Sequence, residues 1–142
     1  MRIILFLFLF VILFTNLIHA QKVTVTVVVK DITFEIGSVN IGIFDTESAF
    51  QSKQEPYAKA SASVSDTSKI KAIIELPSGI YAIAVYHDEN EDNQLNKKKM
   101  GIPEEGVGFS GTFKSKIRPP KFKEASFHLK NDTTIYIALR YP

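Results

Sequence analysis

Between Asp88 and Asn96 the chain reads Asp-Glu-Asn-Glu-Asp-Asn-Gln-Leu-Asn, with side-chain oxygens on alternate positions. Calcium takes six to eight oxygens, and a loop that winds round the ion supplies them from its positions 1, 3, 5, 7 and 9. In that register Asp88, Asn90 and Asp92 are the first three ligands. Gln94 gives its main-chain carbonyl, and Asn96 acts directly or through a water. Leu95 is the apolar residue that ties such a loop to the core. Asn93 stands at the sharp turn where glycine is usual, and asparagine tolerates the left-handed conformation needed there. Position 12 is Lys99 instead of a bidentate glutamate, which removes two oxygens and adds a positive charge. Glu104 or Glu105, folding back, is the expected replacement. The cofactor this pattern calls for is Ca2+, held weakly, in the extracellular range of about 10⁻⁴–10⁻³ M. The same composition also suits a polar hairpin loop rich in turn formers, and spacing alone does not separate the two.

Other chemistry is thinly represented. His87 precedes Asp88 and is read as a second-shell group behind the metal ligands or a transition-metal ligand, against the commoner structural role of a lone histidine at a strand end. The enzymatic alternative is a periplasmic hydrolase that uses Asp88, Asp92 or Glu105 with His87. Ser110 lies in Gly108-Phe-Ser-Gly111, without the glycine two residues earlier that a nucleophile elbow requires. No cysteine is present among the 142 residues, which excludes thiol catalysis, thiolate metal sites and disulfide support. With 17 basic and 15 acidic residues the net charge is +2, too small for a nucleic-acid field. Lys97-Lys98-Lys99 reads as a solvated basic run. A non-enzymatic binding or structural module is therefore expected, with a protein or glycan surface as partner.

The elements that must carry the loop are strands. Val23, Val25, Val27 and Val29 alternate with Thr24 and Thr26. Val39, Ile41 and Ile43 alternate with Asn40 and Gly42. Ile70, Ala72, Ile74 and Leu76 oppose Lys69, Lys71 and Glu75. This period of two marks half-buried strands. Ile80 to Tyr86 is apolar on both faces, as in a central strand covered on both sides. Turn formers separate the runs at Gly37-Ser38, Pro77-Ser78-Gly79 and Asn131-Asp132, the last expected to make a tight hairpin. One short helix is expected near Thr46 to Lys53. The fold class is all-β, an antiparallel sandwich of about seven strands, immunoglobulin-like or transthyretin-like. Its core is expected to hold Val25, Val27, Ile41, Ile74, Ile83, Val85, Ile137 and Leu139. Phe109, Phe113 and Phe122, in the irregular stretch, are expected to seal the sandwich edge.

Residues 1–20 pair Arg2 with the apolar run Ile3 to Phe14 and end at His19-Ala20. An apolar run of about 10–14 residues is short for a membrane span, and the order of charge, apolar core and small residue is that of a signal peptide. Residues 21–142 are then a single exported sandwich domain, periplasmic or secreted, with no membrane span after cleavage.

From Leu76-Pro77-Ser-Gly79-Ile-Tyr81-Ala82-Ile-Ala84-Val-Tyr86-His87-Asp88-Glu-Asn90, through Leu95-Asn96, to Gly101-Ile-Pro103-Glu-Glu105-Gly106-Val-Gly108-Phe109-Ser110, the chain resembles the bacterial exported family called domain of unknown function 2141. The resemblance implies a periplasmic or secreted bacterial protein with no established biochemical activity. That family's loop usually carries glycine where Asn93 stands and aspartate where Asn96 stands. The Leu-Pro-Ser-Gly-Ile-Tyr turn also resembles that of carboxypeptidase-regulatory and transthyretin-like sandwiches, a likeness of fold alone. Gly101, Gly106 and Gly108 permit a tight backbone path, by which the second motif would pack over the acidic loop and bring Glu104 or Glu105 to it.

Overall fold

The computed structural model describes residues 22–52, 54–65, 67–112 and 118–142. The expected signal peptide, at 1–20, and Phe113 lie outside the described residues. Among the described residues eight strands, two short α-helices and one 3-10 turn follow in the order β1 (Lys22–Lys30), β2 (Ser38–Phe44), α1 (Glu47–Ser52), β3 (Ala58–Ser63), β4 (Ile70–Pro77), β5 (Gly79–Asp88), the 3-10 turn (Lys99–Gly101), β6 (Val107–Phe109), α2 (Phe122–Ala125), β7 (Phe127–Leu129) and β8 (Thr133–Ala138). They form two sheets. One has the order β4-β1-β8, and the other runs β3-β2-β5-β6 with β7 also paired to β5. The chain is an all-β sandwich.

Alternation decides what each strand buries. Val25, Val27 and Val29 of β1 are fully buried, and they meet Val39, Ile41 and Ile43 of β2 and Ile83 and Val85 of β5 in one core, with Ile137 and Leu139 closing it. Seven of the eight core residues expected from the sequence are buried there, and Ile74 is half-buried against them. The pairing is antiparallel except between β1 and β8, which run parallel from Val25 opposite Thr133 to Lys30 opposite Ala138. The cause lies at Asn131-Asp132. β7 belongs to the second sheet and β8 to the first, so this turn is a crossing between sheets and not the tight hairpin expected. Asp132 Oδ1 accepts the Thr24 main-chain N–H at 2.8 Å and fixes the crossing to β1.

β5 is the central strand, and it is covered on both faces. Its inner side chains, Tyr81, Ile83, Val85 and His87, point into the sandwich. On the outer face Ala82 is fully buried beneath a second small core of Phe44, Phe50 and Ala125, with Phe109 and Phe122 packed on it. Phe50 stands edge-on to Phe44, Phe109 and Phe122, with ring centroids 5.4, 6.2 and 6.0 Å apart. Such aromatic geometry adds to simple area burial. The Phe50 ring comes from α1, the helix expected from Thr46 onward, where Thr46 Oγ1 accepts the Ala49 N–H at 3.3 Å. Phe122 comes from α2, a turn that apolar periodicity did not announce. Ser110 joins these layers. It is fully buried, accepts the Ile83 N–H at 2.8 Å and donates to the Ala125 carbonyl at 2.6 Å.

An ion pair holds α2 to the preceding segment. Both terminal guanidinium nitrogens of Arg118 donate to Glu124 at 2.8 Å, and the Lys121 N–H donates to the same carboxylate at 2.7 Å. The Arg118 hydrogen bonds, with that of the Lys121 N–H, hold the Glu124 carboxyl down at about 2. A carboxylate with a lowered folded-state pKa favours the fold above its unfolded pKa and loses that effect as pH falls toward its folded pKa. The Glu124 side-chain resonance is expected to titrate at about pH 2 in the folded chain and at higher pH in Arg118→Gln, where the Lys121 N–H still donates to it. An unchanged titration in the variant would mean that the pair does not form.

Candidate functional site

The acidic loop leaves the outer end of β5. Strand alternation turns Asp88 away from the inner core, yet its carboxylate is fully buried beneath the loop that follows. Asp88 Oδ1 accepts the Asp92 N–H at 3.2 Å, and Oδ2 accepts the Asn93 N–H at 2.8 Å and the Asn40 amide at 3.4 Å. The first oxygen ligand of the expected calcium loop therefore also gathers the main chain of its fifth and sixth positions. Asn93 has φ 61°, the left-handed conformation that position needs. Glu91, also left-handed at φ 59°, completes the winding.

Asp92 is the exposed hub. Its Oδ1 accepts the Gln94 N–H at 2.8 Å, while Oδ2 accepts the side-chain amides of Asn96 at 3.0 Å and Asn90 at 3.1 Å. The Asn96 amide, then the Gln94 N–H, hold the Asp92 carboxyl below the usual aspartate range. Asn90 Oδ1 accepts the Asp92 N–H at 3.2 Å. Asn96 is the odd member: its Nδ2 donates to Asp92, but its Oδ1 is buried without a partner among the described residues. A buried acceptor left unmade costs about 1–3 kcal/mol.

Of the two glutamates offered by the second motif, Glu105 is the one that folds back. It is 5% exposed, and its carboxylate spans the neck of the loop. Oε1 accepts the Glu89 N–H at 3.2 Å and Oε2 the Asn96 N–H at 3.0 Å. Glu104 stays exposed, and its main-chain N–H donates to the Asn96 carbonyl at 2.9 Å. Glu105 is the glutamate that reaches the main chain of the loop. It closes the loop by holding amides at both ends. Among the described residues no group of three or more His, Cys, Asp or Glu side chains is arranged to hold a metal ion. Asn90 and Asn96 meet Asp92 through their amide nitrogens, and the Asp88 carboxylate meets the loop through the main-chain N–H groups of Asp92 and Asn93.

His87 is not where the sequence suggested. Neighbours on a strand point to opposite faces, so His87 enters the core while Asp88 faces outward. The ring is fully buried, with Nδ1 2.7 Å from the Tyr141 hydroxyl and Nε2 2.7 Å from the Ile36 carbonyl. Neither partner belongs to the acidic loop, so His87 does not stand behind its ligands. The hydrolase pairing of His87 with Asp88, Asp92 or Glu105 is not formed for the same reason. The Tyr141 phenol is pushed up, chiefly by its burial. Tyr86 shares the outer face with Asp88. Burial first, then the charges of Asp88, Glu105 and Asp92, raise its phenol above the ordinary range.

Two contributors were missed by reading along the chain. Asn40 reaches Asp88 because β2 and β5 pair with Ser38 opposite Asp88 and Asn40 opposite Tyr86. Gly37 has φ 68°, and a Cβ there would lie 2.0 Å from the Asp88 carbonyl oxygen. Gly37 did carry a signal, as a turn glycine. Its contact with Asp88 depends on a register that local sequence does not encode.

No helix among the described residues is long and apolar enough to cross a membrane. No curated protein and no solved structure matches the chain. Residues 27–136 match the family described as an uncharacterized protein conserved in bacteria, DUF2141. That span runs from the middle of β1 through the acidic loop and Glu105 to β8. The chain belongs to this bacterial family, and the loop with its Glu105 clasp lies within the part that defines membership.

Proposed function

We propose that the chain is an exported, non-enzymatic binding or structural module whose acidic loop takes a weakly held calcium ion and presents a surface ordered by it. The observation that carries this reading is the Asn96 amide. Its Nδ2 donates to Asp92 while its Oδ1 is buried and unpartnered. Turning that amide would bring Oδ1 against the Asp92 carboxylate, an arrangement that only a cation between them makes favourable. Asn90 also donates its side-chain amide to Asp92, while its own Oδ1 accepts the Asp92 N–H. With the Asn96 amide turned, Asp92, Asn90 and Asn96 join Asp88 and the Gln94 carbonyl round one hard cation, which suits calcium's flexible oxygen shell better than magnesium's strict octahedron. Export rests on the N-terminal run of residues 1–20. The partner of such a module is a protein or glycan surface.

A thermal melt tests the reading. An ion bound only by the folded state at ten times its Kd adds about 1.4 kcal/mol, which moves the midpoint by several degrees in a domain of this size. The midpoint is expected to rise from chelator to millimolar calcium, to stay lower in magnesium, and to lose its calcium response in Asp92→Ala. Asp92 is the better probe than Asp88, because Asp88→Ala would also release the main chain of the loop. A midpoint equal in all three solutions would leave the loop as a self-contained polar turn.

A further inference from the structure

We propose that the outer face of the β4-β1-β8 sheet is a binding site for an acidic polysaccharide. It is independent of the calcium reading and lies on the other sheet. Alternation sends Thr26, Val28 and Lys30 outward from β1, Lys71 and Ile73 outward from β4, and Thr134 and Tyr136 outward from β8. The register aligns them in rows. Val28 has Lys71 on one side and Tyr136 on the other, and Thr26 has Ile73 and Thr134. Lys69, at the head of β4, joins the same end. The result is a depression of about 310 Å³. Val28 forms its floor and is only 3% exposed.

Three lysines, Lys30, Lys69 and Lys71, line this depression, and none has an acidic partner among the described residues. The Lys30 ammonium is held 4.3 Å from the Tyr136 ring centroid instead of being spread into solvent. Cations lining a concave surface attract an anion. The rest of the lining says what kind. The hydroxyls of Thr26 and Thr134 are sugar-type hydrogen-bonding partners. Tyr136, 63% exposed, gives flat apolar surface for the C–H face of a sugar ring, and Ile73, 72% exposed, stands beside the depression. Ile73 and Tyr136 alone are too little apolar surface to hold the face to a lipid bilayer, and the floor residue Val28 is covered. A nucleic acid would need stacked aromatics and a stronger field than a chain of net charge +2 supplies. A polymer of carboxylated sugars answers both the lysines and the ring.

The test is calorimetric titration of the mature chain at low ionic strength with a galacturonate hexamer, beside a neutral hexasaccharide, inorganic phosphate and phosphatidylglycerol vesicles. The acidic hexamer is expected to bind saturably and the neutral one not to bind. Lys69→Gln with Lys71→Gln is expected to weaken binding at least about tenfold, and Tyr136→Ala about fivefold. Lys123→Gln, on α2 beside the other sheet, is expected to change nothing. All these side chains are exposed, so melting midpoints should stay within a degree or two and separate lost binding from lost folding. The proposal is overturned if the hexamer does not bind, or if the neutral sugar binds as well. It is equally overturned if Lys123→Gln weakens binding as much as the double variant. Tight binding of phosphate with Tyr136→Ala silent would leave a simple anion patch, and binding of the vesicles alone would leave a lipid surface.

Discussion

Gly108→Val is expected to lower the unfolding free energy by about 3 kcal/mol or more, and the melting midpoint by about 10 °C. Gly108 lies in β6 opposite Val85 of the central strand. A Cβ there would lie 2.6 Å from Ile137 Cγ2 and 2.9 Å from the Ala138 carbonyl oxygen. The isoleucine methyl could yield, but the carbonyl belongs to the β8 backbone, which parallel pairing with β1 holds in place. Relief therefore means separating β6 from β8 at the seam where the two sheets meet. Gly101 is the internal comparison. It has φ 77°, and a Cβ there meets nothing within 4 Å. Gly101→Asn is expected to cost no more than about 0.5 kcal/mol, because asparagine accepts the left-handed conformation. Chemical denaturation of both variants checks the pair. Equal costs would mean that close packing at Gly108 is not the reason for glycine there.

Glu105→Ala is expected to cost about 2–4 kcal/mol. The carboxylate is nearly buried and holds the Glu89 and Asn96 N–H groups at the two ends of the loop. Hydrogen bonds to a charged acceptor are worth more than neutral ones, and their removal leaves two donors at a covered site. Glu105→Gln keeps one carbonyl oxygen and is expected to recover roughly half of the loss. The readout that separates this from general destabilisation is amide exchange: Glu89 and Asn96 should lose protection well before the core amides of β1 and β5. If all amides lose protection together, the clasp is part of the global core. If Glu89 and Asn96 keep their protection, the carboxylate does not hold them.

Much of this was legible in the sequence, and the reasons are physical. A valine at every second position of β1 can be satisfied only by one buried face, so the sandwich and most of its core follow from periodicity. The apolar run from Ile80 to Tyr86 announced a strand covered twice. It did not say by what, because the second cover is built from Phe50 and Phe122 on helices of six and four residues. Helices so short carry little periodic signal. The parallel β1–β8 pair was illegible because Asn131-Asp132 has the composition of a hairpin turn while the chain crosses between sheets. At the loop, Asn93 in the left-handed region and Glu105 folding back both followed from local chemistry. His87 did not, because sequence adjacency to Asp88 suggested proximity where strand alternation separates the two by a sheet. Glu105 illustrates the remaining limit. Its type suggested an ion ligand, and its geometry makes it an acceptor for two backbone amides, a distinction that depends on where the loop's N–H groups point.

The proposed calcium site requires the side-chain amide of Asn96 to turn its oxygen toward the ion at Asp92. A calcium titration of the isotope-labelled mature chain, followed through its side-chain and main-chain amide resonances, tests it most directly. The expected result is a saturable, chelator-reversible shift of the Asn90 and Asn96 side-chain amides and of the Asp92, Asn93 and Gln94 main-chain amides. The midpoint should lie at about 10⁻⁴–10⁻³ M, and magnesium should produce much less. Amide resonances that stay fixed through tenfold higher calcium in a folded chain, or shifts that leave Asn96 untouched, would contradict it.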